Sequence, residues 1–147
     1  MNSIEIEKLC LKQGVKQFLG CFPSDQMPSI STNFPTCFIM NTDNSSEAGD
    51  HWLAVILNKK NCLFFDSFGL PILNPLLIQF LSKQYKKAVY SAKCIQHFES
   101  IRCGEFCVAF LKKIKTKKQY QMFLSNFNGE DLLSNDKIVA NMLNSPS

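Results

Sequence analysis

The chain has 147 residues and a hydrophobic content of 46%, which is enough for a packed core and excludes an intrinsically disordered protein. The length is typical of one domain, which we expect to span residues 1–147. The net charge of +4 permits contact with nucleic acid or an acidic partner but is too small to require either.

The seven cysteines are odd in number, and their spacings do not resemble a disulfide framework. The first residues lack the basic segment and the following apolar stretch of a secretory signal. No apolar run approaches the roughly 18 residues that a membrane span needs. These features predict a reducing cytosolic or nuclear environment, where a thiol stays available for chemistry, and no membrane partner.

The N-terminal third is predicted to contain a helix, a strand and two loops. Apolar residues among charges over residues 3–13 are typical of a short amphipathic helix, which Gly14 would end. Prolines and polar residues across 20–35 predict a loop. The apolar run 36–40 predicts a strand, and the polar residues 41–50 predict a surface loop.

Two apolar runs, residues 52–57 and 62–65, predict an antiparallel hairpin. If the two lysines between them form a two-residue turn, Leu53 lies opposite Asp66. His51 shares a face with Leu53, so His51 and Asp66 become diagonal neighbours, about 7–8 Å apart at their bases. A slip of one residue would put the two side chains on opposite faces of the sheet.

The rest of the chain is predicted to be mainly helical. Leucine spacing over 72–85 predicts a helix whose regular part begins at Pro75. Residues 86–96 predict a strand, and two final helices are predicted over about 117–127 and 130–143.

The clearest helical pattern begins at Cys103 and continues to Ile114. The partial positive charge and the N–H groups at a helix start stabilise a thiolate and lower the pKa of its thiol. Gly104 has no side chain, so a substrate carbonyl is expected to approach the backbone here. The N–H of Cys103 is then a candidate donor to an oxyanion.

Residues upstream of Cys103 can supply the other groups that a thiol nucleophile needs. His51 is a candidate base for deprotonating Cys103 and for protonating the leaving amine. Asp66 is a candidate for orienting the imidazole and for stabilising its charged form. The side-chain amide of Gln96 is a candidate second donor to the oxyanion. The order His, Asp, Gln, Cys-Gly therefore predicts a cysteine-nucleophile hydrolase.

Plainer interpretations compete at several of these positions. A lone Cys103 would more often be a core cysteine, and Cys107, on the apolar stripe, is expected to be one. A zinc site on these two cysteines lacks a second pair of ligands. His97 competes as the base but has no acid placed to orient it, so we expect it at the surface. Asp66 could merely begin a turn, and Trp52 is expected in the core.

Several motifs in one order resemble the adenain family, the adenovirus-type maturation endopeptidases, which are cysteine proteases. The similar stretches are Phe18-Leu19-Gly20, Asn41-Thr42, Gly49-Asp50-His51-Trp52-Leu53-Ala54, Phe65-Asp66-Ser67-Phe68-Gly69, Cys103-Gly104-Glu105-Phe106-Cys107 and Met142-Leu143-Asn144-Ser145-Pro146. Gln96 stands seven residues before Cys103, like the oxyanion-hole glutamine of the family. Asp66 stands where the family has a glutamate as the third triad member.

The resemblance covers nearly the whole chain and implies an α+β fold with a central mixed β-sheet flanked by helices, related to papain-like and ubiquitin-like-protein proteases. It implies His51, Asp66, Gln96 and Cys103 as catalytic residues, without a metal or small-molecule cofactor. It also implies cleavage of viral precursor proteins at Gly-containing sites during virion maturation, in the host nucleus and the virion.

Members of the family are activated by DNA and by a short peptide cleaved from a capsid precursor. By resemblance, Cys94 is the candidate contact for such a peptide, because a family cysteine upstream of the glutamine can bond to it. A lysine strip lies at the end of the Cys103 helix and just beyond it: Lys112, Lys113, Lys115, Lys117 and Lys118. Such a run of charges is usually a solvated face. By resemblance to the family, it is a candidate DNA contact. Such DNA binding would be sensitive to salt and independent of sequence.

Two other functions are compatible with the sequence. A protease that removes ubiquitin-like modifiers would share the catalytic order and a preference for Gly-Gly. A DNA-binding virion protein without catalytic activity would keep the same fold, and its seven thiols would then be chemically similar to one another.

Overall fold

The computed structural model describes residues 1–29, 33–46 and 51–144, and within them five helices and five strands. In chain order these are α1 (Ser3–Lys12), β1 (Phe18–Phe22), β2 (Thr36–Asn41), β3 (Trp52–Leu57), β4 (Cys62–Phe65), α2 (Pro75–Ser82), β5 (Ala88–Val89), α3 (Cys103–Lys113), α4 (Lys117–Leu124) and α5 (Ser134–Asn144). This is the α+β composition that the sequence predicts.

The strands form one five-stranded mixed sheet in the order β1-β2-β3-β4-β5. The three central strands are antiparallel, whereas β1 pairs with β2, and β5 with β4, in parallel. The central strands are buried along their whole lengths, because helices cover both faces of the sheet. The predicted central mixed sheet is therefore confirmed.

Two apolar clusters cover the two faces of the sheet. On one face the sheet packs against α1, α3, α4 and α5, where the rings of Phe65 and Phe110 stack with their centroids 4.6 Å apart. On the other face Leu77 and Leu81 of α2 pack against Phe38. Helix α3, which begins at Cys103, is thus held directly against the sheet.

The β3–β4 hairpin has the predicted register at every paired position. The N–H of Asn58 donates to the carbonyl of Asn61 at 2.9 Å and closes the two-residue turn. This register places His51 and Asp66 on the same face, because side chains alternate along a strand with a period of two.

The predicted helix starts at Ser3 and Pro75 are confirmed, and each has a capping asparagine. Asn2 forms a capping box with Glu5, and the Asn74 side chain accepts hydrogen bonds from the first turn of α2. The end of α1 is followed by Gly14 at φ 71°, as the sequence predicts.

The predicted loops at 20–35 and 41–50 are partly wrong. Strand β1 includes residues 20–22, where Gly20 at φ 124° and a bulge after Phe18 interrupt the regular alternation that would have indicated a strand. Asn41 is the buried last residue of β2 rather than part of a surface loop. Residues 30–32 and 47–50 of these two segments lie outside the described residues.

Several predicted elements are shorter in the structure. The strand predicted over 86–96 is reduced to β5, because the following residues dock instead onto the carbonyl of Ser67 through the N–H groups of Ile95 and Gln96. Helix α2 ends at Ser82. The last helix begins after 130, because the side chain of Asn128 accepts hydrogen bonds in a turn at that point.

The same described ranges contain no candidate membrane span and no candidate metal site. No helix there has both the length and the apolar character that crossing a bilayer requires. Nor do three histidine, cysteine, aspartate or glutamate side chains come together there as a potential metal site.

Candidate active site

The hairpin brings His51 and Asp66 into direct contact. His51 immediately precedes β3 and Asp66 immediately follows β4, and the distance from His51 Nε2 to Asp66 Oδ1 is 2.8 Å. The two residues are only 9% and 7% exposed, respectively. The predicted proximity of the imidazole and the carboxylate is confirmed.

Phe68 holds both members of this pair in place. Its main-chain N–H donates to Asp66 Oδ1 at 2.8 Å, the same oxygen that contacts His51. Its ring stacks on the imidazole, with centroids 4.4 Å apart and an angle of 22° between the planes. The sequence analysis missed this role, although Phe68 belongs to one of the motifs that carry the family resemblance.

Cys103 is the first residue of α3 and is 9% exposed. The preceding Arg102 makes no side-chain hydrogen bond to the helix start, so the N–H groups of the first turn keep their capacity for other acceptors. His51 and the backbone of Trp52 and Gly104 lie near enough to the Cys103 side chain to lower the pKa of its thiol. His51 therefore interacts with Cys103 as well as with Asp66.

The charges of His51 and Cys103 stabilise each other. Burial alone lowers the pKa of His51, but the hydrogen bonds to Asp66 and Cys103 outweigh burial and raise the pKa to about 9. Burial raises the pKa of Cys103, but the hydrogen bond to His51 and those to the backbone lower it to below its usual 9.0. Both shifts favour a thiolate paired with an imidazolium.

Five other cysteines have pKa values shifted in the opposite direction. Burial, the main cause, raises the pKa of Cys10, Cys21 and Cys37 to about 12 and that of Cys62 to about 11. Burial also raises the pKa of Cys107 well above its usual range, and this residue is fully buried in the core as predicted. The pKa of Cys103 is thus distinguished from those of five buried or partly buried thiols.

Gln96 is 1% exposed, and its side-chain amide is fixed at both ends. Its Oε1 accepts a hydrogen bond from the hydroxyl of Ser67, and its Nε2 donates to the carbonyl of Ser100 at 2.9 Å. Ser67 is completely buried. The sequence analysis missed the role of Ser67 in orienting this amide, and the available signal was its position directly after Asp66.

Two glycines are required by close packing around the site. Gly69 has φ 75°, and a Cβ atom there would lie 2.7 Å from the carbonyl oxygen of Ala92, so the turn after β4 needs glycine. A Cβ atom on Gly104 would lie 3.2 Å from the side chain of Ile6 and 3.3 Å from Met1 Sδ. Gly104 therefore makes room for Ile6 of α1 and for Met1, while the approach of a substrate carbonyl to its backbone stays a prediction.

Two further candidates lie on the segment before α3. His97 is half-buried rather than at the surface, and its Nδ1 accepts from the N–H of Glu99 at 3.1 Å. No ion pair joins His97 to a carboxylate within the part of the chain that the structure describes. Cys94 is partly exposed, with its Sγ 3.3 Å from the carbonyl oxygen of Gln96.

The lysine strip is not uniformly solvated. Lys112 Nζ donates to Gln13 Oε1 at 2.8 Å and to the carbonyl of Met142 at 3.3 Å, so this side chain links α3 to the neighbouring helices. Lys112 is therefore not part of the expected solvated face. The other members of the strip are exposed: Lys113, Lys115, Lys117 and Lys118.

The chain is similar to the proteases of three adenoviruses. It is 28% identical to that of Porcine adenovirus A serotype 3, 31% to that of Bovine adenovirus 2 and 28% to that of Frog adenovirus 1. The similar regions cover 76%, 64% and 75% of this chain. They cover 63%, 53% and 62% of the relatives, so the chain spans less than two thirds of each relative's length.

No protein-family model matches the chain. Its fold resembles that of an ASFV protease whose crystal structure was determined in the selenomethionine form, with a TM-score of 0.53 and 15% identity. This likeness covers 90% of the chain and 64% of the ASFV protease and confirms the predicted fold class. The similarity to the three adenovirus proteases supports the resemblance to the adenain family that the sequence motifs indicate.

Proposed function

We propose that this chain is a cysteine endopeptidase with Cys103 as its nucleophile. The observation that carries the proposal is the position of buried His51, which lies 2.8 Å from Asp66 and near enough to Cys103 to lower the pKa of its thiol. The similarity to three adenovirus proteins named proteases supports the same activity.

In the proposed mechanism, the Cys103 thiolate attacks the carbonyl carbon of a peptide bond while His51 carries the proton. His51 gives this proton to the leaving amine as the carbon–nitrogen bond breaks. The neutral imidazole then takes a proton from water, which attacks the acyl-enzyme and releases the acid product and Cys103. Asp66 keeps the imidazole oriented through both halves of the reaction.

Gln96 and the main-chain N–H of Cys103 are the proposed donors to the oxyanion. One N–H of the Gln96 amide donates to the carbonyl of Ser100. The Gln96 oxygen accepts from the hydroxyl of Ser67, and this second bond sets the orientation of the amide. The second N–H of the same nitrogen is the proposed oxyanion contact. Donors held in place before the reaction stabilise the developing charge without a reorganisation cost.

Replacing Gln96 with alanine is expected to lower kcat by about 10²- to 10³-fold, as the loss of one oxyanion donor does in other acyl-transfer enzymes. The measurement is steady-state cleavage of a fluorogenic peptide. The exposed Gln121→Ala on α4 is the matched control and should retain full turnover. Unchanged turnover in Gln96→Ala would reassign the oxyanion role to another group.

The pH dependence of thiol alkylation tests the proposed nucleophile directly. A thiol whose pKa is lowered becomes a thiolate at lower pH, so iodoacetamide should label Cys103 at a lower pH than the five cysteines whose pKa values are raised. In His51→Ala the labelling midpoint of Cys103 should move to higher pH. Peptide mapping by mass spectrometry provides the measurement.

The matched control for this labelling is Cys103→Ser, in which the early modification should disappear from the peptide map. Labelling spread evenly over all seven thiols would contradict the proposal. That pattern would instead favour a DNA-binding virion protein without catalytic activity.

The proposed substrates are viral precursor proteins, cleaved at Gly-containing sites during virion maturation in the host nucleus and the virion. This part of the proposal derives from the adenain resemblance. A panel of Gly-containing peptides and tagged ubiquitin-like proteins tests it, because a protease for such modifiers would cleave the tagged proteins in preference. Cleavage of the peptides alone would support the maturation role.

DNA and an activating peptide are the proposed cofactors, with Cys94 as the candidate peptide contact. The exposed lysines are the proposed DNA contacts, whereas Lys112 is engaged within the protein. The test is peptide cleavage with and without DNA, and with and without candidate peptides. If lysines bind the DNA, the logarithm of the binding constant should fall linearly with the logarithm of the salt concentration. Binding that is insensitive to salt would contradict it.

A further inference from the structure

A cavity of about 520 Å³ lies on the side of the sheet that faces α1. Its wall is mostly apolar, and the indole N–H of Trp52 closes one side by donating to the carbonyl of Met1 at 3.0 Å. The residues that line the cavity include Met1, Cys21, Phe22, Asn41 and Trp52.

Asn41 places an amide group in this apolar surround. It pairs with Trp52 across β2 and β3, and paired residues project to the same face of a sheet, so the Asn41 side chain lies on the cavity side. Its Oδ1 accepts the N–H of Asp43 at 2.8 Å, which sets the orientation of the amide.

The nitrogen of this amide is buried without an acceptor. Asn41 is 4% exposed, and its Nδ2 has no hydrogen-bond partner within the part of the chain that the structure describes. Native proteins rarely leave a buried donor without an acceptor unless a ligand or an ordered water accepts its hydrogen bond. The cavity is large enough to admit such an acceptor.

The cavity lies near the start of α3, where Cys103 is the first residue. Trp52, which lines the cavity, directly follows His51 in the chain. Met1, another wall residue, packs against Gly104 at the start of α3. A polypeptide whose scissile carbonyl reaches Cys103 can therefore continue into the cavity past Trp52.

We propose that Asn41 binds the polypeptide substrate by donating a hydrogen bond from Nδ2 to one of its main-chain carbonyl oxygens. This inference rests on the proposed peptidase function. A polypeptide suits the site because it carries a neutral acceptor at every residue, and the amide of Asn41 is a neutral donor.

Asn41→Asp is the direct test, because the carboxylate keeps an oxygen for the N–H of Asp43 but loses the donor. We expect kcat/KM for a cleaved Gly-containing peptide to fall by about 10- to 100-fold, as when a site loses its bond to a substrate polar group. The rate of Cys103 alkylation by iodoacetamide should not change, because this small reagent does not fill the cavity.

Asn128→Asp is the matched control. Asn128 is exposed and also accepts main-chain hydrogen bonds in a turn, so its replacement adds the same charge and keeps the same kind of contact. The Asn128→Asp variant should cleave the peptide at the wild-type rate. If Asn41→Asp does not fold, Asn41→Ser replaces it in the test and should show the same fall in kcat/KM. The serine hydroxyl can accept the N–H of Asp43, but it is too short to replace Nδ2 as a donor.

A thioamide scan of the peptide identifies the carbonyl. Sulfur is a weak acceptor, so at one position the thioamide should slow the wild-type enzyme about 10-fold or more and leave Asn41→Asp unaffected. Equal effects at every position in both enzymes, or undiminished cleavage by Asn41→Asp, would overturn the inference while leaving the peptidase function intact. Failure of the wild-type protein to cleave any peptide would overturn the peptidase function as well.

Discussion

His51→Ala is expected to reduce kcat/KM for peptide cleavage by about 10⁴- to 10⁶-fold, as the loss of a base that acts together with its nucleophile does in other hydrolases. The imidazole takes part twice in the proposed mechanism, first as the partner of the thiolate and then as the acid for the leaving amine. Its loss also removes the hydrogen bond that lowers the pKa of Cys103. Initial rates of fluorogenic peptide cleavage provide the measurement.

His97→Ala is the matched control for this substitution, because the chain contains two histidines and His97 is the competing base. The ring of His97 stacks on Phe98, and its Nδ1 accepts the main-chain N–H of Glu99. We expect turnover within a few-fold of wild type. A large loss in His97→Ala with retained turnover in His51→Ala would exchange the two roles.

Phe110→Ala is expected to lower the free energy of unfolding by about 3–5 kcal/mol, the range for removing a large aromatic side chain from a packed core. Phe110 is completely buried and stacks on Phe65 of β4 at 4.6 Å. It also makes edge contacts with Tyr120 and Phe123 at 4.9 and 5.8 Å. One ring thus joins the sheet, α3 and α4.

Urea denaturation followed by circular dichroism measures this effect. The control is Phe98→Ala, whose side chain is 79% exposed and should change the unfolding free energy by less than about 0.5 kcal/mol. A loss below about 1 kcal/mol in Phe110→Ala would show that the core closes around the missing ring. Because α3 begins at Cys103, the variant should also lose peptide cleavage at temperatures where it unfolds.

The central part of the site could be predicted from the sequence because local signals determine it. A two-residue turn fixed the hairpin register, and the register placed His51 beside Asp66. A long helical repeat marked the start of α3 at Cys103. Turn length and periodicity are properties of neighbouring residues, so they can be recognised without knowledge of the fold.

The supporting contacts were decided by tertiary structure. Ser67 orients Gln96 from 29 residues away, and Gly104 is needed because α1 packs against it. Asn41, in a polar stretch, is buried because β2 continues one residue further beside Trp52. The short parallel edge strands also depend on distant partners. Such contacts join segments far apart in the chain, and no local pattern of residue types encodes which segments will meet.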